Sequence, residues 1–178
     1  MTDRTARAAR QPESRLHPKR NRSRCPQVPL PRIAILFATM SGNAETLAGL
    51  TASRLSRFGI HVEPVNCASV DPSMLSRLDV AILIASTWGD GQPPIDAREF
   101  CRVVTAPDAP ALPGLKYAVL ALGNKTYSDF CAFGRNLDET LAHRGATRLL
   151  ERIDCDQWLR EPFEEWLERI ADKVEDLV

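Results

Sequence analysis

The stretch IAILFATMSGNAET, residues 33–46, decides the fold, because an apolar run passes through a hydroxyl-rich turn into a helical pattern. The run 33–37 predicts a buried strand. After it, the hydroxyls of Thr39, Ser41 and Thr46 and the backbone N–H groups of the turn can converge on one anion, which the positive end of a helix also favours. Gly-Lys-Ser/Thr and Gly-x-Gly-x-x-Gly are both missing from the stretch. The turn therefore predicts a site for a single monoester phosphate.

A turn of this kind is also the ordinary start of a helix, but two later segments favour a ligand. STWGDGQPP, residues 86–94, follows the apolar run 80–85, and LGNKTYSDFC, residues 122–131, follows the run 117–121. Parallel strands bind ligands outside their carboxyl ends, where the strand order reverses. Residues 39–46, 86–94 and 122–131, hereafter the first, second and third loops, are therefore predicted to converge on one site.

The chain at this point resembles the flavodoxin-like FMN domains. Three motifs carry the resemblance: TMSGNAE at 39–45, STWGDGQPP at 86–94, and LGNKTY at 122–127 with FC at 130–131. The motifs are most similar to those of the FMN modules of sulfite reductase, cytochrome P450 reductase and nitric oxide synthase, and of free-standing MioC-like flavodoxins. The resemblance covers residues 32–178.

The resemblance implies noncovalently bound FMN, without a catalytic residue or a metal. Its implied cofactor-binding residues are Thr39, Met40, Ser41, Gly42, Asn43, Ala44, Glu45, Thr46, Ser86, Thr87, Trp88, Gly89, Asp90, Gly91, Leu122, Gly123, Asn124, Tyr127, Phe130, Cys131 and Asp154.

The resemblance also implies roles around the flavin ring. Trp88 and Tyr127 would sandwich the ring, and the carbonyl of Gly89 would turn toward the flavin N5 when that atom is protonated. Asp90 and Asp154 would oppose an anionic reduced ring. Simpler alternatives stay open for these residues: each aromatic can be a core residue, the Gly89 turn can be only a tight turn, and Asp154 can be a solvated strand end.

Strands and helices are predicted to alternate, which indicates an α/β, doubly wound fold. The predicted strands are 33–37, 60–65, 80–85, 117–122 and 148–153. The predicted helices are 44–58, 93–104, 132–144 and 161–177. If the fold is a flavodoxin-like sandwich, its five-stranded parallel sheet has the order 2-1-3-4-5 with helices on both faces. The apolar stripe of the last helix predicts a core contact.

Cysteine and histidine usage argues against a disulfide framework or a metal site. The five cysteines are odd in number and widely spaced, and the three histidines are scattered. The chain has no apolar stretch of membrane-spanning length. A reducing cytoplasm is the predicted compartment. Redox chemistry at Cys131 is a weaker hypothesis than simple burial, because no resolving cysteine lies close in the sequence.

Opposite charges divide the chain at residue 31. Residues 1–31 contain eight Lys or Arg against two Asp or Glu, a net +6, and the rest contains 15 against 21, a net −6. The first segment is a basic, Pro- and Arg-rich tail that is predicted to be disordered. An organelle-targeting leader and a misassigned start site are alternatives.

The resemblance to flavodoxin-like domains implies an electron carrier more than a stand-alone enzyme. The FMN domain, a monomer with no membrane span and no nucleic-acid partner, would pass single electrons from a separate NAD(P)H-dependent flavin reductase to a redox enzyme or haem protein. Its acidic surface would meet basic partners. Two alternatives are an FMN-dependent NAD(P)H:quinone-type oxidoreductase and a regulatory or interaction protein with structural FMN.

Overall fold

The sheet at the centre of the protein is parallel throughout, as its long apolar runs predict. The structure is a computed structural model, which describes residues 31–156 and 161–178. Except for Pro31, the tail predicted to be disordered lies outside the described residues. The strands are β1 (Ile33–Ala38), β2 (Pro64–Asn66), β3 (Val80–Ser86), β4 (Lys116–Gly123), β5 (Thr147–Arg148) and β6 (Ile153–Asp156). Their order is β2-β1-β3-β4-β5, with β6 also paired to β4, so the predicted order 2-1-3-4-5 is confirmed.

Helices cover both faces of the sheet, as predicted. They are α1 (Asn43–Ser56), α2 (Arg98–Thr105), α3 (Ala132–His143) and α4 (Glu161–Glu175). Side chains alternate along β3, so that Ile82 packs with α1 and α4 while Leu83 packs with α2 and α3. A strand covered in this way is apolar on both faces. Phe163 and Trp166 of α4 are buried in the first of these cores, which confirms the predicted core contact.

The prediction of one continuous fifth strand at 148–153 is wrong. The chain pairs with β4 through β5, leaves the ladder, and pairs again through β6, beginning opposite Leu120. Between the two strands, Leu150 is buried in the core and Arg152 bonds two carboxylates. The backbone pairing is interrupted where these two side chains make their contacts.

Two element starts and two short turns also differ from the predictions. The second strand is shorter than 60–65 and begins at Pro64. The helix expected from residue 93 begins as a 3₁₀ turn at Ile95–Ala97 before α2. Two unpredicted 3₁₀ turns, Cys67–Ser69 and Pro72–Arg77, are each capped by the side chain of the preceding residue. Within the described residues, we find no helix with the length and apolarity needed to cross a membrane.

Candidate functional site

The three loops meet at the carboxyl ends of β1, β3 and β4, as predicted. They line two adjoining cavities, of about 240 Å³ and about 120 Å³, that share Thr87, Trp88 and Gly123. The larger cavity is also lined by Gly89, Asn124, Tyr127, Asp129, Phe130 and Cys131. The smaller cavity is also lined by Met40, Ser41, Asn43, Ser86 and Leu122.

The first loop is closed by hydrogen bonds to Gly42, which has φ +84° and caps α1. The Gly42 N–H donates to Thr39 Oγ1 at 3.0 Å, and the Thr46 hydroxyl donates to the Gly42 carbonyl at 3.1 Å. The Thr46 proton is therefore held within the turn. The first N–H groups of a helix have no intrahelical acceptor, so the backbone of Asn43 and Ala44 offers donors at this end of the site.

The second loop is a closed turn that exposes one aromatic side chain. Trp88 and Gln92 exchange backbone hydrogen bonds of 2.8 Å in both directions. Gly89 and Gly91 lie between them with φ of +48° and +80°. The Gly91 N–H donates to the Gly89 carbonyl at 3.0 Å, so this carbonyl has a partner inside the turn.

Thr87 ties the second loop to the third loop and to α3. Its N–H donates to the Leu122 carbonyl at 2.8 Å, and its hydroxyl oxygen accepts from the Phe133 N–H at 3.3 Å. Through these contacts, the cavity walls are fixed to the ends of β4 and α3.

Two aromatic side chains at the larger cavity are unusually exposed. The exposed fraction is 50% for Trp88 and 59% for Tyr127, and both line the cavity. The alternative that these two aromatic side chains belong to the hydrophobic core is therefore wrong. Large rings left in contact with solvent beside a cavity suit a flat, polarizable ligand that would bury their faces.

The third loop packs tightly on the end of β4. A Cβ added to Gly123 would lie 2.7 Å from the backbone nitrogen of Cys131 and 2.9 Å from the Phe130 ring. Asn124 Oδ1 accepts from the N–H of Thr126 at 2.9 Å and from its hydroxyl at 2.7 Å, which closes the turn that presents Tyr127. The loop geometry thus depends on a glycine and an asparagine.

Cys131 is buried and bonded rather than reactive. Its thiol donates to the Ala121 carbonyl at 3.3 Å. Burial raises the pKa of this thiol to about 12, and the nearby charge of Asp154 adds to the shift. A thiol that stays protonated at neutral pH is a poor nucleophile, which favours burial over redox chemistry. Within the described part of the chain, no three His, Cys, Asp or Glu side chains are grouped to hold a metal.

Several implied binding residues do not line the two cavities. These are Thr39, Gly42, Ala44, Glu45, Thr46, Asp90, Gly91 and Asp154. The side chain of Ala44 is buried in the core, so only its backbone can face a ligand. Asp154 pairs with Arg152, whose Nε lies 2.7 Å from Asp154 Oδ1. Asp129 lines the larger cavity but was not predicted, although its position beside Tyr127 in the third loop was an available signal.

Comparison with known proteins decides the family. Residues 35–166 match the family model for flavodoxin. The chain belongs to the flavodoxin family. Flavodoxins bind FMN and transfer electrons, so this chain is an FMN-binding electron-transfer protein with the flavodoxin-like fold.

Relatives are found among both longer proteins and solved flavodoxins. The sulfite reductase [NADPH] flavoprotein alpha-component of Vibrio parahaemolyticus is 35% identical over 83% of this chain and 24% of its own length. The same component of Bacillus subtilis is 33% identical over 78% of this chain and 23% of its length. The chain thus spans about a quarter of these relatives.

Solved structures match the flavodoxin domain over nearly their whole length. A flavodoxin of Streptococcus pneumoniae TIGR4 has a TM-score of 0.72 and 30% identity, covering 82% of this chain and 99% of its own. Oxidised Flavodoxin 1 of Bacillus cereus has a TM-score of 0.72 and 29% identity, covering 83% and 99%.

Residues at the three loops have the chemistry that FMN requires. The ring system suits the exposed faces of Trp88 and Tyr127, and the phosphate suits the donors at the start of α1. The two cavities adjoin, so these two chemistries lie side by side. FMN supplies one-electron redox chemistry, and the protein supplies orientation and local charge.

Proposed function

We propose that this flavodoxin domain binds FMN between Trp88 and Tyr127. In this proposal it passes electrons one at a time from a separate NAD(P)H-dependent flavin reductase to a redox enzyme or a haem protein. The observation that carries the proposal is the pair of half-exposed aromatic side chains that line one cavity at the carboxyl ends of the strands. A flavin held at the surface in this way can exchange electrons with a docked protein.

The phosphate end of the proposed site is the first loop. Ser41 and Asn43 line the smaller cavity there. The hydroxyl oxygen of Thr39 accepts from Gly42, so its own proton is available to an anion. On anion binding, the Thr46 hydroxyl can turn from the Gly42 carbonyl toward the phosphate. Charge-assisted hydrogen bonds of this kind contribute about 1.5–3 kcal/mol each.

The proposed partners follow from similarity and charge. Solved flavodoxins match this domain over 99% of their chains, which supports the FMN domain as the unit that accepts and passes on electrons. The relatives named as NADPH-linked flavoprotein components support a nicotinamide as the ultimate electron source. Residues 32–178 carry a net −6, so the proposed partners present basic surfaces. The proposal also includes a monomer in a reducing cytoplasm, where the buried thiols of Cys67 and Cys131 would stay reduced.

The binding part of the proposal is tested by comparing FMN with riboflavin. The parent protein is expected to bind FMN at least tenfold more tightly than riboflavin, and the triple variant Thr39→Ala, Ser41→Ala, Thr46→Ala is expected to lose most of that preference. Thr105→Ala is a matched control, because Thr105, like Thr46, donates to the carbonyl four residues earlier, at 2.9 Å, but lies on α2 away from the cavities. Equal affinities in the parent would refute the phosphate assignment.

The electron-transfer part is tested with the FMN-loaded protein. NADH or NADPH alone is expected to leave the flavin oxidised, whereas a flavodoxin reductase with NADPH is expected to reduce it and to support reduction of cytochrome c. The rate should fall with salt, because screening weakens attraction between the acidic domain and a basic partner. Rapid reduction by the nicotinamide alone would instead favour the quinone reductase alternative.

A further inference from the structure

A partly buried network of charged side chains joins α3 to the chain that pairs with β4. At its centre is Asp138 of α3, which is 4% exposed. Its carboxylate accepts from Arg148 Nε at 2.8 Å and Nη2 at 2.9 Å, and from Arg152 Nη1 at 3.2 Å. The Tyr117 hydroxyl lies 3.1 Å from the same carboxylate. Asp138 therefore keeps several partners if either arginine is removed.

Arg152 connects this network to Asp154. Its Nε lies 2.7 Å from Asp154 Oδ1, while its Nη1 reaches Asp138. The two arginines and the two aspartates have a net charge of zero. The hydrogen bond to Asp154 raises the pKa of Arg152, so its charge is permanent at neutral pH. The side chain is only 19% exposed, so solvent screens this charge less than it screens a surface arginine.

Asp154 lies on β6, which pairs with β4, and Gly123 at the end of β4 lines the larger cavity. Asp154 is paired in register with Ala121 of β4, and the Ala121 carbonyl accepts the thiol of Cys131, which lines that cavity. The backbone of Arg148 is farther away, because its β4 partner is Tyr117, and its guanidinium group contacts Asp138 and not Asp154. Tyr117 precedes Ala121 by four residues, about 13 Å along a strand.

We propose that Arg152 is a positioning residue for the flavin site, which holds Asp154 and cancels its charge next to the cavity. This inference rests on the proposed function, since it requires FMN in that cavity. If FMN in that cavity took up a second electron, its ring would carry a net negative charge, which an uncompensated carboxylate nearby would disfavour. Arg152 thus makes the second reduction potential less negative than Asp154 alone would allow.

The test is the second reduction potential of the FMN-loaded protein, measured by equilibration with redox dyes. Arg152→Gln removes one positive charge and is expected to lower the equilibrium constant for the second electron threefold or more. That is about 28 mV or more at 59 mV per tenfold for one electron. Asp154→Asn removes one negative charge and is expected to shift the potential in the opposite direction.

Two controls separate charge from structure. Arg148→Gln removes the same charge from the same network at the far end, and its shift is expected to be less than half that of Arg152→Gln. Arg152→Lys keeps the positive charge but loses the bidentate hydrogen bonding of the guanidinium group. Its second reduction potential is expected to stay near that of the parent protein, a result that a purely structural role of Arg152 would not explain. Thermal unfolding without FMN reports the structural cost of each variant separately.

The outcomes distinguish this inference from the function on which it rests. If the parent takes up no FMN, both fail. If the parent binds FMN but Arg152→Gln keeps the parental potential, or Arg148→Gln shifts it equally, only the role of Arg152 is overturned. If Arg152→Gln does not fold, Asp154→Asn still decides, because an unchanged or more negative potential in that variant contradicts the proposal.

Discussion

Gly123 is the position at which the smallest change is expected to damage both fold and site. The substitution Gly123→Ala adds one methyl group, which would lie 2.7 Å from the backbone nitrogen of Cys131, 2.9 Å from Phe130 Cδ2 and 3.0 Å from Cys131 Sγ. Carbon and nitrogen atoms in ordinary contact are about 3.5 Å apart, so the third loop must move by several tenths of an ångström. Its backbone cannot do so freely, because the Cys131 thiol is bonded to β4.

The expected cost of Gly123→Ala follows from overpacking. An extra methyl group in a well-packed interior costs about 1–3 kcal/mol. Phe130 and Cys131 line the larger cavity, so the displaced loop should also weaken FMN binding by about tenfold, or about 1.4 kcal/mol. Gly49→Ala is the matched control. Its Cβ meets nothing within 4 Å in the exposed middle of α1, and the change should stabilise the helix by about 1 kcal/mol.

The assays are urea unfolding of the FMN-free protein and titration of FMN by its fluorescence. The free energy of unfolding should fall in Gly123→Ala and rise in Gly49→Ala. Only Gly123→Ala should bind FMN more weakly than the parent protein. A Gly123→Ala variant with parental stability would show that the third loop yields without cost. Lost stability with unchanged FMN affinity would show that the loop relaxes away from the cavity.

Two further predictions concern the second loop and the buried thiol. Gly89→Val should still bind FMN but give less blue radical absorbance during reductive titration, because a β-branched residue resists the φ of +48° and the peptide flip. Gly59→Val, with φ +78° and equally open space, should leave that absorbance unchanged, and equal effects of both variants would contradict the role of Gly89. Cys131, with its folded pKa raised to about 12, should make stability fall between about pH 9 and pH 12, since the unfolded chain loses the proton first near its ordinary value of about 8.5. Urea unfolding across that range should show a fall shallower by up to about 1.4 kcal/mol per pH unit in Cys131→Ala, and an identical slope would refute the effect.

The sequence alone was sufficient to predict a strand or helix whose own apolar residues form its buried face. β3 is buried from Val80 to Ala85 and matches an uninterrupted apolar run. The stripe of α4 that includes Phe163 and Trp166 faces the core at the predicted spacing. In both cases the pattern that buries the side chains is contained within the element, so its periodicity is enough.

Sequence was insufficient where distant side chains control the backbone. The break between β5 and β6 contains Arg152, which reaches Asp138 on α3 and Asp154 on β6. Nothing in residues 148–153 indicates those partners. For the same reason, the resemblance implied a negative charge near the ring at Asp154 but no partner for it, whereas the structure pairs it with Arg152.

The three loops of the site were predictable, but the contacts that hold them were not. Strand ends and turn residues were enough to bring residues 39–46, 86–94 and 122–131 together. The link from Thr87 to α3 and the capping of Gly42 by Thr39 need coordinates, because a hydroxyl in a turn has many possible acceptors. Asp129 was missed in the same way, since its cavity contact depends on how the third loop folds.

The contacts among the loops also bear on electron transfer. Thr87 joins the second loop to the end of β4 and to the first turn of α3, and Cys131 joins the third loop to Ala121. A site fixed in this way is organised before the cofactor enters, so little ordering is required on binding. The rings of Trp88 and Tyr127 stay exposed on that fixed frame. The structure therefore combines a rigid base, which limits rearrangement when charge changes, with an open edge that a partner can approach. The turn at Gly89 is the open part of this frame, because a Cβ there has no neighbour within 4 Å, and a peptide flip must break the 3.0 Å hydrogen bond from the Gly91 N–H to the Gly89 carbonyl. Movement during reduction is thus expected at Gly89 and not at Gly123.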